Sequence, residues 1–253
     1  MAKLSTQQLE NFKQDGYVVA HSLLTADRVA QLRSTIERHL SPPLSPLEFE
    51  ADVSYPGSPE SQLALGGQTP RRLLSAYSRD PVFRELAADA DIAAALRVLI
   101  DSPEIMLSQT HHNCVMTKMP GFSSETHWHQ DIRYWRFDRP ELVSVWTALG
   151  DETIGNGALR MIPGTHKGNF DRGRFDAKLF LRPELKENAE LINSAVDCEL
   201  KAGDVVFFHS RTFHAAGRNA TDKPKLSIAY TYHAADNCAI PATRSSRFPS
   251  ILL

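Results

Sequence analysis

Cysteine is scarce in this chain, with only Cys114, Cys198 and Cys238 among 253 residues. They are odd in number, far apart and form no CxxC pair. That argues against a disulfide framework and against a thiolate-built zinc site. Reduced thiols in a cytoplasmic protein are the expectation. An excess of one charge is also missing: 28 basic residues face 30 acidic ones, for a net charge of −2. A nucleic-acid partner would leave a basic patch or stripe, so none is expected. No apolar run approaches the length needed to cross a bilayer, so no membrane partner is expected either. The opening MAKLSTQQLENFKQDGYVV lacks the apolar core and cleavage site of a secretory signal. The ending RFPSILL is not an SKL-type peroxisomal address.

What is present is an ordinary globular composition, 42% hydrophobic and 23% charged. A single domain over 1–253 is expected, helical over about 1–103, β-rich over about 104–235, and closed by a C-terminal tail. A helix over 5–15 starts at a Ser5/Thr6 cap and ends at Gly16, and Tyr17–Ala20 follows as a short strand. A second helix opens at Thr25 and repeats Val29, Leu32, Ile36 and Leu40 near 3.6 residues. SPPLSP stops it, and residues 41–70 read as a long loop of the kind that forms lids. A third helix is expected over 81–100.

Beyond residue 103 the pattern becomes short strands, at about 105–118, 126–136, 142–149, 157–163, 204–209, 212–217 and 225–233. Turn signals such as Pro120-Gly121, Gly155-Asn156-Gly157 and Pro163-Gly164 separate them. A β-barrel or sandwich follows, with a helical insertion near 183–194.

Thr126-His127-Trp128-His129-Gln130-Asp131 carries the first chemical signal. Residues two apart on a strand share a face, so His129 and Asp131 can chelate one ion. A histidine from another strand would complete a triad of two His and one carboxylate, the donor set of non-haem iron(II) oxygenases. His127 lies on the same face, and periodicity does not choose between it and His129. Further on, GDVVFFHSRTFHAAGRN offers both His209 and His214. If 212–218 and 225–231 pair as a hairpin, His214 and Lys225 lie nearly opposite each other. A cation beside a metal ligand repels the metal unless an anion lies between, as a bidentate keto acid would.

The chain resembles the phytanoyl-CoA dioxygenase family of iron(II)/2-oxoglutarate oxygenases over nearly its whole length. The likeness runs through DGYVV, TADRVAQLRSTI, Lys118-Met119-Pro120, His129-Gln130-Asp131, Trp146-Thr147-Ala148, Pro163-Gly164-Thr165-His166 and GDVVFFHSRTFHAAGRN. It implies a double-stranded β-helix (a cupin-like jelly roll) with helical support. It also implies iron(II) held by His129, Asp131 and His214, with 2-oxoglutarate and O2 as co-substrates. By the same resemblance His127 becomes a neighbour of the site, and His209 a structural residue. His166 becomes a turn or rim residue, and Lys118 and Trp146 line the co-substrate pocket.

The chain departs from the family pattern at Lys225, where relatives usually have the arginine that grips the far carboxylate of 2-oxoglutarate. Lysine keeps the charge and loses the planar fork. Lys225 is read as the anchor, with Arg218 and Arg133 as less well placed alternatives.

The implied reaction is hydroxylation of an unactivated C–H bond in a small metabolite, with release of succinate and CO2. Desaturation, epimerisation and ring closure are alternatives, as is a 2-oxoglutarate-binding sensor without turnover. Candidate substrate contacts are the 41–70 loop, Gln109, Tyr134, Trp135, Phe137, Arg244 and Arg247. His111, His112 and His233 are further residues near the barrel.

Overall fold

The computed structural model describes residues 4–253. Helix α1 (Thr6–Asp15) is capped by Ser5, whose hydroxyl accepts from the Gln8 amide while the Gln8 side chain accepts from the Ser5 amide. Gly16 ends it at φ +81°. Strand β1 (Tyr17–Ala20) follows, then α2 (Ala26–Leu40), capped by Thr25. The 41–70 segment is not wholly loop, because it contains β2 (Leu47–Phe49), which pairs with β3 (Pro70–Leu74). A short helix α3 (Ala76–Arg79) precedes α4 (Pro81–Ala87) and α5 (Ala90–Ile100). The single helix expected over 81–100 is therefore two. Asp89 leaves helical geometry to accept from the amides of Asp91 and Ile92, and this starts a new helix.

The β-rich part comprises β4 (Ile105–Leu107), β5 (Asn113–Lys118), β6 (Thr126–His129), β7 (Leu142–Ala148), β8 (Leu159–Ile162), β9 (Val196–Cys198), β10 (Val205–His209), β11 (Phe213–Ala216), β12 (Lys225–Ala234) and β13 (Ile251–Leu252). Helix α6 (Lys186–Asn193) is the expected insertion. The larger sheet runs β1-β10-β7-β12-β5-β3-β2, with β4 also on β12 and β13 on β4. The smaller runs β6-β11-β8-β9, and all pairings are antiparallel.

The centre of the larger sheet is covered on both faces, which explains why all ten residues of β12 and all seven of β7 are buried. Alternation then sorts the side chains. Leu226, Ile228, Tyr230 and Tyr232 of β12, Val143 and Val145 of β7, and Phe207 of β10 pack outward against Val29, Leu32, Ile36, Phe83, Leu86 and Leu96 of the helices. Trp146, Ala148, Val206, Phe208 and Ala229 pack instead with Leu159 and Met161 of the smaller sheet. Lys225 and Ser227 share the inward face with Ala229. Polar side chains line the interior where the inward residues of β5, β7 and β12 meet β6 and β11.

Candidate metal and co-substrate site

His129 is the last residue of β6, and the register sets it directly opposite His214 of β11. Adjacent antiparallel strands thereby close a sequence gap of more than eighty residues, and the two ring centroids lie 4.2 Å apart. Asp131 was expected on the same strand as His129. Instead the chain turns into a 3-10 segment over Asp131–Tyr134, pinned by the bond from the Ile132 amide to the Ser210 carbonyl. That turn brings the carboxylate back toward both rings. His129, Asp131 and His214 each offer one donor atom, all within 4.8 Å of one another, and all three residues are buried. His127 stays outside this group, more exposed, with Nε2 4.0 Å from Glu125.

The donor chemistry fits a divalent metal. Nδ1 of His129 faces the His127 carbonyl at 2.8 Å, and Nδ1 of His214 faces the Thr212 carbonyl at 3.1 Å. Each Nδ1 must therefore carry the proton, which leaves the Nε2 lone pairs directed at Asp131 Oδ1, at 3.8 and 3.6 Å. Burial lowers the pKa of both histidines and so favours the neutral, metal-binding form. Burial works the other way on Asp131, but His112, His214 and His129 hold its carboxyl well below the usual range. Ser144 of β7 donates to Oδ2 at 2.7 Å, so Oδ1 is the oxygen left facing the rings.

His112 belongs to this cluster, whereas sequence reasoning placed it only among the histidines near the barrel that could touch substrate. Its Nε2 lies 2.8 Å from Asp131 Oδ1, its backbone is held at φ +27°, and Trp135 packs edge-on at 5.5 Å. Burial opposes its ionisation, yet the Asp131 charge and hydrogen bond push it up to about 9. Nothing local distinguishes it from His111, whose Nε2 bonds Ser245.

A cavity opens from the triad toward β5, β7 and β12, walled by Lys118, Thr126, Trp146 and Lys225. Lys118 and Lys225 stand directly opposite each other in the β5–β12 register. The hairpin expected between 212–218 and 225–231 does not form. Strand β11 pairs with β6 and β8, whereas β12 pairs with β4, β5 and β7, so the intervening turn crosses between sheets. His214 and Lys225 still meet, as facing walls of one cavity rather than as neighbours in a ladder.

Lys225 is already paired: its ammonium lies 2.9 Å from Glu152 Oε2 and 4.8 Å from the centre of the Trp146 ring. Glu152, which sequence reasoning missed, also accepts from Trp146 Nε1 and from Ser227. Of the alternative anchors, Arg218 donates to the Ser123 carbonyl, and Arg133 lies beside a second cavity.

That second cavity, about 390 Å³, borders the triad on its other side. Its wall includes five of the candidate substrate contacts, Gln109, Tyr134, Trp135, Arg244 and Arg247, together with Arg133, Tyr55 from the 41–70 loop and Arg72 from β3. Phe137 and His233 pack on each other, and His233 bonds Ser250. His209 accepts from the Arg211 amide, and its ring lies tilted 5.5 Å from that of His166.

A jelly roll presenting two histidines and an aspartate to one buried point, with a lysine-walled cavity beside it, defines the class of mononuclear non-haem metal oxygenases. The phytanoyl-CoA dioxygenase family model matches residues 12–227, and the chain belongs to that family. Ectoine dioxygenase of Stutzerimonas stutzeri (strain A1501) is 26% identical over 93% of this chain and 79% of its own length. Among solved structures, the non-haem α-ketoglutarate-dependent epimerase SnoN of nogalamycin biosynthesis is 26% identical, with a TM-score of 0.73 over 93% of this chain and 85% of its own. EctD from S. alaskensis, solved with 2-oxoglutarate and 5-hydroxyectoine, shares the fold at a TM-score of 0.74 and 24% identity, over 94% of this chain and 78% of its own.

Proposed function

We propose that this chain is an iron(II)- and 2-oxoglutarate-dependent dioxygenase that hydroxylates a small molecule, working as one domain in the cytoplasm. The observation that carries the reading is the convergence of two neutral imidazole Nε2 atoms and one carboxylate oxygen beside a cavity walled by Lys225 and Lys118. His129, Asp131 and His214 would hold the iron and leave open positions for a chelating keto acid and O2. Iron bound there supplies oxidative decarboxylation of 2-oxoglutarate and the power to remove hydrogen from a substrate C–H bond. Overall, C–H, O2 and 2-oxoglutarate become C–OH, succinate and CO2. The protein's part is to fix donor geometry, orient both organic partners and exclude water.

Lys225, Lys118 and Trp146 are the co-substrate residues in this reading. The second cavity is the substrate side. Arg133, Arg244 and Arg247 on its wall have no acidic partner among the described residues, which favours a substrate bearing a carboxylate or phosphate. Epimerisation, desaturation and ring closure share the hydrogen-removal step, and a 26%-identical relative is described as an epimerase.

Purified protein given Fe(II), ascorbate and 2-oxoglutarate is expected to form succinate, faster when the right metabolite is added. Asp131→Ala is expected to abolish that turnover, and full activity in this variant would sink the assignment. The alternative reading is a 2-oxoglutarate-binding sensor without turnover. Tight 2-oxoglutarate binding with no succinate across a broad metabolite panel would select it.

A further inference from the structure

We propose that Glu152 is a positioning residue for co-substrate binding: it holds the Lys225 ammonium aimed into the cavity, so that a lysine–glutamate pair takes the place of a single arginine. The inference rests on Lys225 being the co-substrate anchor. Lysine carries a point charge on a flexible four-carbon stem, whereas the planar fork of arginine is pre-organised. A lysine can therefore serve as a directed anchor here only if a second group fixes where its ammonium sits.

Glu152 is built for that part. It is fully buried, and its backbone is locked to Leu200 by two bonds, at 2.8 and 2.9 Å. Its Oε1 accepts from Ser227 Oγ at 2.6 Å and Trp146 Nε1 at 3.0 Å. Its Oε2 accepts from Lys225 Nζ at 2.9 Å and Trp146 Nε1 at 3.2 Å. A carboxylate so fully engaged cannot swing toward the metal donors. One Lys225 proton is committed to it, and two remain for an anion in the cavity.

Glu152 approaches Lys225 from the loop after β7, Lys118 from β5, Cys198 from β9 and the Trp146 ring from β7, with His214 of β11 on the facing wall of the cavity and Glu50 and Arg71 beyond Lys118. Burial, then Glu152 and Asp204, push the Cys198 thiol up to about 12, so it stays neutral. Glu152 is thus the only carboxylate bonded to Lys225 among the described residues.

The test is anaerobic titration of the Fe(II) protein with 2-oxoglutarate. Binding is read from the visible charge-transfer band of the chelated keto acid, at about pH 6.5 and about pH 8.5. Metal affinity and melting temperature serve as folding controls. Glu152→Gln is expected to raise the 2-oxoglutarate Kd about tenfold at both pH values, the size of one lost charge-assisted contact. Lys118 titrates between the two pH values and Lys225 contributes to its shift, so each variant is compared with wild type at both.

Lys225→Arg is expected to bind without needing Glu152, so Glu152→Gln/Lys225→Arg should match Lys225→Arg within about threefold. That comparison holds even if Glu152→Gln alone does not fold. Wild-type affinity in folded Glu152→Gln at both pH values would overturn the proposal, as would tenfold weaker binding in the double variant than in Lys225→Arg. Lys225→Met separates the underlying reading. If it binds 2-oxoglutarate normally, the anchor assignment fails. If it loses binding while Glu152→Gln does not, only the role of Glu152 fails.

Discussion

Lys118 donates to the Ser124 carbonyl at 2.8 Å and has no carboxylate hydrogen-bonded to it among the described residues. Burial first, then Lys225 and Arg71, pull its pKa down to about 7, against weaker support from Glu50 and Glu125. Below that pH the ammonium is charged and the cavity attracts a dianion; above it the charge is lost. The 2-oxoglutarate Kd is therefore expected to rise as pH climbs through about 7, and Lys118→Arg should flatten the profile because guanidinium stays charged. A flat wild-type profile between about pH 6 and about pH 8.5 in anaerobic titrations would refute this.

At this scale the sequence was informative where ligands cluster by short spacing. His129 and Asp131 sit two apart, and the family pattern separated His214 from His209. Glu152 escaped because Gly150-Asp151-Glu152-Thr153 reads as a surface turn. Its burial depends on Trp146, Ser227 and Lys225, which come from strands far away in sequence. His112 escaped for a similar reason, since its partner Asp131 reaches it only through the fold.

Elements were recognisable from local pattern, whereas their partners were not. Strands β7, β10 and β12 match the expected runs closely, because alternation and turn residues are local properties. The Asn219–Pro224 turn carries the same residues whether it closes a hairpin or crosses between sheets. Long-range packing decides, and here it sends β12 to the larger sheet.

Gly157 shows how tightly these elements converge on the site. It follows the 3-10 turn Ile154–Asn156 at φ +82°, and a Cβ there would stand 2.5 Å from the Gly217 carbonyl oxygen and 2.9 Å from Lys118 Cδ. Left-handed backbone costs a residue with a Cβ roughly 1–2 kcal/mol even before any clash. Gly157→Ala is expected to lower thermal stability by at least that much and to weaken 2-oxoglutarate binding, since Lys118 and the end of β11 must both give way. Gly150→Ala is the control. Its Cβ would meet only the Arg33 side chain, at 3.2 Å, and a near-wild-type melting temperature is expected. Equal losses in the two variants would contradict the argument.

For the whole molecule, the donor atoms tie parts of the chain that the sheets keep separate. His129 and His214 belong to the smaller sheet, and Ser144 on the larger sheet holds Asp131. A metal held by all three therefore links the two layers through the Asp131 carboxylate, and the full set of three donors is not assembled in the unfolded chain. Binding to the native state alone stabilises by RT ln(1 + [L]/Kd), or ~2.7 kcal/mol at a hundredfold excess over Kd. For a chain of this size that corresponds to a rise in melting temperature of roughly 5–10 °C. Co(II) or Mn(II), used in place of iron to avoid oxidation, should give this shift in wild-type protein and lose it in Asp131→Ala. 2-Oxoglutarate should add a further increment only when metal is present, because in the proposed site its chelating end would need the ion and its far carboxylate would need Lys225. A 2-oxoglutarate shift of equal size without metal would mean that the two sites are not coupled in the way the shared cavity requires.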